Sequence, residues 1–187
     1  EKGESSEYAN WFYRLQFPVI RPATEEEKPT YSCFAYERKM PKLNSSNPEE
    51  RAYFMEVCRY WIREFKVDGW RLDVANEVDR GFWRDFHRAA HEENPESVMI
   101  GEIWESSETW LNGDMFDSTM NYDFRKNCRD FFALRKISAE EFHDRIVKML
   151  LRYRTGTLRG QLNLLDSHDV NRFLSYCEGD LRRFRLA

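Results

Sequence analysis

The strongest constraint on the fold is a rhythm: short apolar runs ending in charged residues, separated by stretches with helical periodicity. The runs stand at about 66–74 (KVDGWRLDV), 97–104 (SVMIGEIW), 115–122 (MFDSTMNY) and 160–169 (GQLNLLDSHD). A helix is expected between the first two, at about 79–93 and ending near Asn94-Pro95. Helical patterns in DFRKNCRDFFAL and SAEEFHDRIVKMLLRY separate the last two, and GDLRRFRLA opens another. Alternating strands and crossover helices imply a parallel sheet, whose strands are covered by helices and so read as apolar runs. A closed eight-stranded barrel needs ~250 residues, against the 187 here. The expected fold is therefore α/β, with about four parallel strands and crossover helices: either part of a (β/α)8 (TIM) barrel or a small open sheet.

Residues 1–46 hold Pro18, Pro22, Pro29 and Pro41 without a sustained period, so this segment reads as irregular, with Trp11, Phe12 and Phe17 as aromatic anchors. A helix should begin at Asn47, which can cap it. Pro48 fits the first helical position, and Glu50 completes an Asn version of the capping box. Phe54, Val57, Trp61 and Phe65 recur at helical spacing and predict one buried face. Ser138 and Glu141 form a second capping box. The expected division is an irregular segment over 1–46 and barrel elements over 47–187.

The charges on the apolar runs need an explanation. Along the first run Val67, Gly69, Arg71 and Asp73 share one face, while Trp70, Leu72 and Val74 share the other. Arg71 and Asp73 stand toward the carboxyl end of the strand, where parallel sheets and barrels place active sites. Arg71 would keep Asp73 ionised, as a nucleophile or cation stabiliser requires. A buried ion pair that only fixes the fold is the competing explanation. Glu102 follows Val98 and Ile100 on one face at the rim of an apolar strand, where desolvation favours a proton donor; a capped loop carboxylate is the alternative. Glu105 lies beyond the strand end and reads as a solvated loop residue. The last run crowds Asp166, His168 and Asp169 at its end. His168 alone could be a satisfied core residue, and no second His is placed to pair with it on a metal. Asp166 reads as a loop cap or a subsite residue.

Two carboxyls held apart in pKa are the equipment for glycosidic cleavage, with a third acid able to stabilise a charged sugar. Metal-assisted hydrolysis also uses acid clusters, but Arg71 beside the first acid would oppose a cation.

The residues GWRLDVANEV, IGEIW and LLDSHD resemble the second, third and fourth conserved regions of the α-amylase family of retaining glycoside hydrolases, in the right order and spacing. MPKLN (40–44) and ANWFYRLQFP resemble segments of the neopullulanase, cyclomaltodextrinase and maltogenic amylase branch. The resemblance runs over nearly the whole chain. It implies that Asp73 is the nucleophile, Glu102 the general acid and base, and Asp169 the transition-state stabiliser. It further implies that Arg71 orients the nucleophile and that His168 and Trp104 contact substrate. Asn76 and Glu77 fall where the branch tunes its choice between α-1,4 and α-1,6 linkages. The implied reaction passes through a covalent glucosyl-enzyme, for which retention asks that the two carboxyls lie ~5 to 5.5 Å apart.

The implied substrates are cyclodextrins, pullulan or starch. A transglycosylase of the same family, or an amylase-like binding domain without catalysis, are the alternatives. The first conserved region is absent from this sequence. With no initial Met and an end inside an apparent helix, the chain reads as a piece of a longer protein, with an incomplete cleft and little or no activity of its own. The site residues include no metal ligand and no cofactor is required; calcium in the parent is doubtful, because Lys42 stands where other branches carry an Asp.

Composition supports a neutral partner. The net charge is −4, from 29 basic and 33 acidic residues without a block of like charge, so neither nucleic acid nor a membrane surface is the expected partner. At 16% aromatic, the chain has rings for a core and for sugar faces alike. Cys33, Cys58, Cys128 and Cys177 are scattered and read as four buried thiols. No apolar run approaches a membrane span. The compartment is not legible in the residues; the resemblance favours the cytoplasm. Open sheet edges would invite self-association.

Overall fold

The computed structural model describes residues 3–24 and 26–187, which gather into two compact units. The first comprises Glu1–Asp68 and Val74–Ser97, the second Gly69–Asp73 and Val98–Ala187.

In the first unit, strands β1 (Cys33–Phe34) and β2 (Glu37–Pro41) form an antiparallel ladder, so the segment expected to be irregular contains a short hairpin. Helix α1 (Pro48–Phe65) begins where its capping residues predict. Asn47 Oδ1 accepts from the amides of Glu49 and Glu50 at 2.9 and 3.1 Å. The reciprocal half of the capping box does not form, because the Asn47 amide donates to Asn44 O instead. Glu50 is buried, at 2% exposed. Burial pushes its carboxyl up to about 7 against the pull of Arg51, and its Oε2 has no hydrogen-bond partner.

The buried face of α1 is also offset from expectation. Met55, Cys58 and Ile62 face inward, while Trp61 and Phe65 are exposed and lie against each other in a tilted pair with centroids 4.7 Å apart. Two apolar stripes lie side by side on this helix, and the period alone does not choose between them. Helix α1 packs on helix α2 (Arg80–Glu93), where Phe54, a member of the expected stripe, meets Phe82 edge-on. Asp79 caps α2 by accepting from the Phe82 amide at 3.0 Å.

The second unit carries a four-stranded parallel sheet in the order β3 (Gly69–Leu72), β4 (Val98–Gly101), β5 (Ser118–Asn121), β6 (Leu162–Asn163). Its strands do not close on themselves, as a partial barrel requires. Each strand is shorter than its apolar run. Gly69 is required by close approach: a Cβ there would lie 2.0 Å from Val98 O.

Helix α3 (Tyr122–Cys128) runs into a π-helical turn (Arg129–Ala133), and α4 (Ala139–Arg152) follows, with Ser138 Oγ accepting from the Glu141 amide at 3.1 Å. The Glu141 carboxylate turns to Arg145, leaving that capping box half made as well. Helices α5 (Thr155–Gly160), α6 (Phe173–Tyr176) and α7 (Leu181–Leu186) complete the unit. Cys128, Ala133, Phe173 and Cys177 form a buried cluster. All four cysteines are free thiols. Cys33 is only half-buried, in contrast to the other three. No helix among the described residues is long and apolar enough to cross a membrane.

Candidate active site

The register of the sheet decides which side chains meet. Arg71 pairs with Ile100, and Ile100 with Ser118. Because side chains alternate along strands, Arg71, Ile100, Ser118 and Met120 share one face, and the chain carries Asp73, Glu102 and Tyr122 onto that side just past the strand ends. The Glu102 amide donates to Leu72 O at 2.8 Å, which extends the ladder by one bond and fixes the Glu102 backbone.

Arg71 is the centre of the site. Its Nη1 pairs with Asp73 Oδ1, its Nη2 lies 3.1 Å from Glu102 Oε2, and its Nε lies 3.4 Å from Met120 Sδ. The hydrogen bond from Arg71 holds the Asp73 carboxyl below the usual carboxylate range. A hydrogen bond with Glu102 and the field of His168 act in the same direction, against partial desolvation. Both carboxyls thus meet the same guanidinium.

Asp73 and Glu102 differ sharply in environment. The Asp73 side chain is 68% exposed, whereas that of Glu102 is 3% exposed. Trp104 donates its indole N–H to Glu102 Oε1 at 3.0 Å, and its ring lies flat on Tyr122, with centroids 4.1 Å apart.

The third acid sits in a loop, not on a strand. The run 160–169 contributes only Leu162–Asn163 to the sheet, preceded by helix α5. As an outer strand, β6 has a single neighbour in the sheet, and loop-forming bonds compete for the rest of the segment. Asp166 Oδ1 accepts from the Phe173 amide at the start of α6, tying the loop to that helix. The buried Arg125 donates to Leu165 O at 3.0 Å and to Asn171 O at 3.4 Å, fastening both ends of the loop. Within it His168 Nε2 lies 3.2 Å from Asp169 Oδ2.

Tyr122 is the residue that sequence reasoning missed. It is buried and donates to Ser167 Oγ at 3.1 Å. Burial raises its phenol above the ordinary value, and the charges of Glu102 and Asp169 add to this while Ser167 and Arg71 oppose it. The available signal was its place two residues after Met120, on the face that carries Arg71.

Asn76 and Glu77 lie in a single 3₁₀ turn (Ala75–Glu77) of the other unit. The turn follows Val74, whose φ of 39° is unusual for a β-branched residue. Asn76 is exposed. Glu77 faces Lys42 Nζ at 3.5 Å, and both line a cleft of about 590 Å³ with Tyr13, Arg14, Ser32 and Asp79.

The fold and site define a segment of a (β/α) barrel whose strands end in clustered acids. The chain belongs to the alpha-amylase family: the sequence model of the alpha-amylase catalytic domain matches residues 21–187. A cyclomaltodextrinase from Geobacillus thermopakistaniensis is 44% identical over 186 residues, covering 100% of this chain and 31% of the relative. Neopullulanase 2 of Thermoactinomyces vulgaris is 45% identical over 188 residues, again covering 100% of this chain and 31% of the relative. A solved cyclomaltodextrinase structure superposes with a TM-score of 0.91 at 43% identity, covering 98% of this chain and 31% of that one. The chain thus spans about a third of the length of the relatives it matches.

Proposed function

We propose that the chain is the central part of the catalytic barrel of a longer retaining α-glucan hydrolase, acting on α-1,4 or α-1,6 glucosidic bonds in cyclodextrins, pullulan or starch. The observation that carries this reading is the bridging of Asp73 and Glu102 by Arg71. One carboxyl is open to solvent and held ionised, while its partner is buried beside it, a division suited to a nucleophile and a proton donor.

In the first step Asp73 attacks the anomeric carbon as the bond to the leaving oxygen breaks, and Glu102 gives its proton to that oxygen. In the second step the Glu102 carboxylate takes a proton from water, the water oxygen attacks the same carbon, and the Asp73 ester bond breaks. Asp169 supports the positive charge that develops on the sugar in the transition state of each step. Arg71 keeps Asp73 ionised and aimed, Trp104 orients Glu102 through its indole N–H, and His168 is assigned to substrate hydroxyls. Asn76 and Glu77, with Lys42 beside them, are assigned to linkage choice. The mechanism asks for no resident metal or cofactor.

For the longer enzyme we propose a cytoplasmic location, a reading that rests on the family resemblance. Product analysis on cyclodextrin, pullulan and starch tests the function. Hydrolysis with retained anomeric configuration, abolished by Glu102→Gln, is expected. Inverted products would refute the mechanism, and sugar-transfer products in place of hydrolysis would reassign the acceptor.

A further inference from the structure

A second cluster of side chains, on helix α2, takes no part in this chemistry. His87 and His91 stand one turn apart, which puts both on the same helix face. Their rings stack with centroids 4.0 Å apart and planes 25° from parallel, and both residues are half-buried.

The protonation of one ring follows from its hydrogen bond. His91 Nδ1 lies 3.0 Å from the His87 carbonyl oxygen. A carbonyl only accepts, so Nδ1 carries the proton and the lone pair of the ring is on Nε2. Metal-bound histidines are arranged in this way: one ring N–H is given to a carbonyl or carboxylate, which fixes the ring and leaves the other nitrogen as the ligand. The two histidines offer ligand nitrogens within 4.8 Å of each other. Tetrahedral zinc, with Zn–N of ~2.0 to 2.1 Å, asks for about 3.3 Å between nitrogens, so the two rings close toward each other on binding.

We infer that His87 and His91 form a binding site for a divalent transition metal, with zinc and copper(II) as the best fits. Imidazole suits these ions, while calcium and magnesium prefer oxygen. The metal ties two successive turns of α2 together, and water completes its coordination. This site is independent of the glycosidic chemistry proposed above.

The test is calorimetric titration of the 187-residue chain with zinc chloride at neutral pH, in a Cys33→Ser background so that the half-buried thiol does not compete. A single saturable event is expected. Its affinity should fall by about 10-fold or more in His87→Ala and in His91→Ala, and stay unchanged in His143→Ala on α4. His91→Phe keeps a ring for the stack but no ligand, and it should lose binding as His91→Ala does. Far-UV circular dichroism of each variant separates loss of a ligand from loss of the helix. With copper(II), electron paramagnetic resonance should show two coordinated nitrogens, and one in each single variant. Zinc binding that survives both substitutions, or no saturable binding at millimolar zinc, overturns the site.

Discussion

Trp104 lies flat on Tyr122, their planes 11° from parallel, and the same indole donates its N–H to Glu102. The stack fixes where the indole points, and the indole fixes one oxygen of the buried acid. Trp104→Phe keeps the stacking and removes the donor, so kcat of the longer enzyme should fall by about 10-fold or more with KM changed less. Tyr122→Ala removes the support under the indole and should lower kcat in the same way. Tyr122→Phe, which loses only the bond to Ser167, should be nearly silent. Steady-state kinetics on cyclodextrin reads all three.

Arg71 sets the charge state of Asp73. The folded carboxyl lies below its ordinary value chiefly because Arg71 donates to it, so Asp73 stays ionised throughout the neutral range and well into acid. In Arg71→Ala that support is gone and the carboxyl titrates at higher pH. The acid limb of the kcat/KM profile should therefore move toward neutral, along with a loss of rate. An unmoved acid limb would show that Arg71 serves geometry alone.

Glu50 makes stability depend on pH. Its folded pKa, pushed up to about 7, stands above the unfolded value of 4.5. The stability it contributes is whole below about pH 4.5 and is lost as pH rises through about 7. Glu50→Gln mimics the uncharged form at every pH. Thermal melts should match the parent chain at the acid end, and the variant should be more stable at pH above about 8, by about 1 to 3 kcal/mol. Equal stability at the alkaline end would contradict the burial of an uncharged acid.

At Gly69 the backbone of β3 approaches β4 too closely for a Cβ. Gly69→Ala should cost about 2 to 3 kcal/mol, read as a lower urea midpoint.

Strands β3 and β6 are the outer members of the sheet. Their unpaired edges should make the isolated 187-residue chain self-associate as its concentration rises, which sedimentation equilibrium measures. The same isolated chain should hydrolyse cyclodextrin weakly or not at all.

Local signals were legible where one interaction decides the outcome. Asn47-Pro48 and Ser138 placed helix starts because a cap needs only its own next few residues. The apolar runs placed four parallel strands, and the alternation within them put Arg71 and Asp73 on one side. What escaped the sequence depended on partners far along the chain. Tyr122 joins the site only because the register aligns β5 with β4. The buried stripe of α1 is chosen by α2, leaving Trp61 and Phe65 outside. The last run breaks after two residues because Asp166 and Arg125 hold its remainder as a loop.

Asp73 is the residue expected to form the covalent bond to sugar. The most direct measurement is peptide mapping by mass spectrometry of the longer enzyme after reaction with a fluorinated α-glucosyl fluoride, which forms the glucosyl-enzyme readily and loses it slowly. One added sugar is expected, on the peptide containing Asp73 and on that residue. No label should appear in Asp73→Asn. A sugar attached to Glu102 or Asp169, or turnover with no covalent adduct at all, would contradict it.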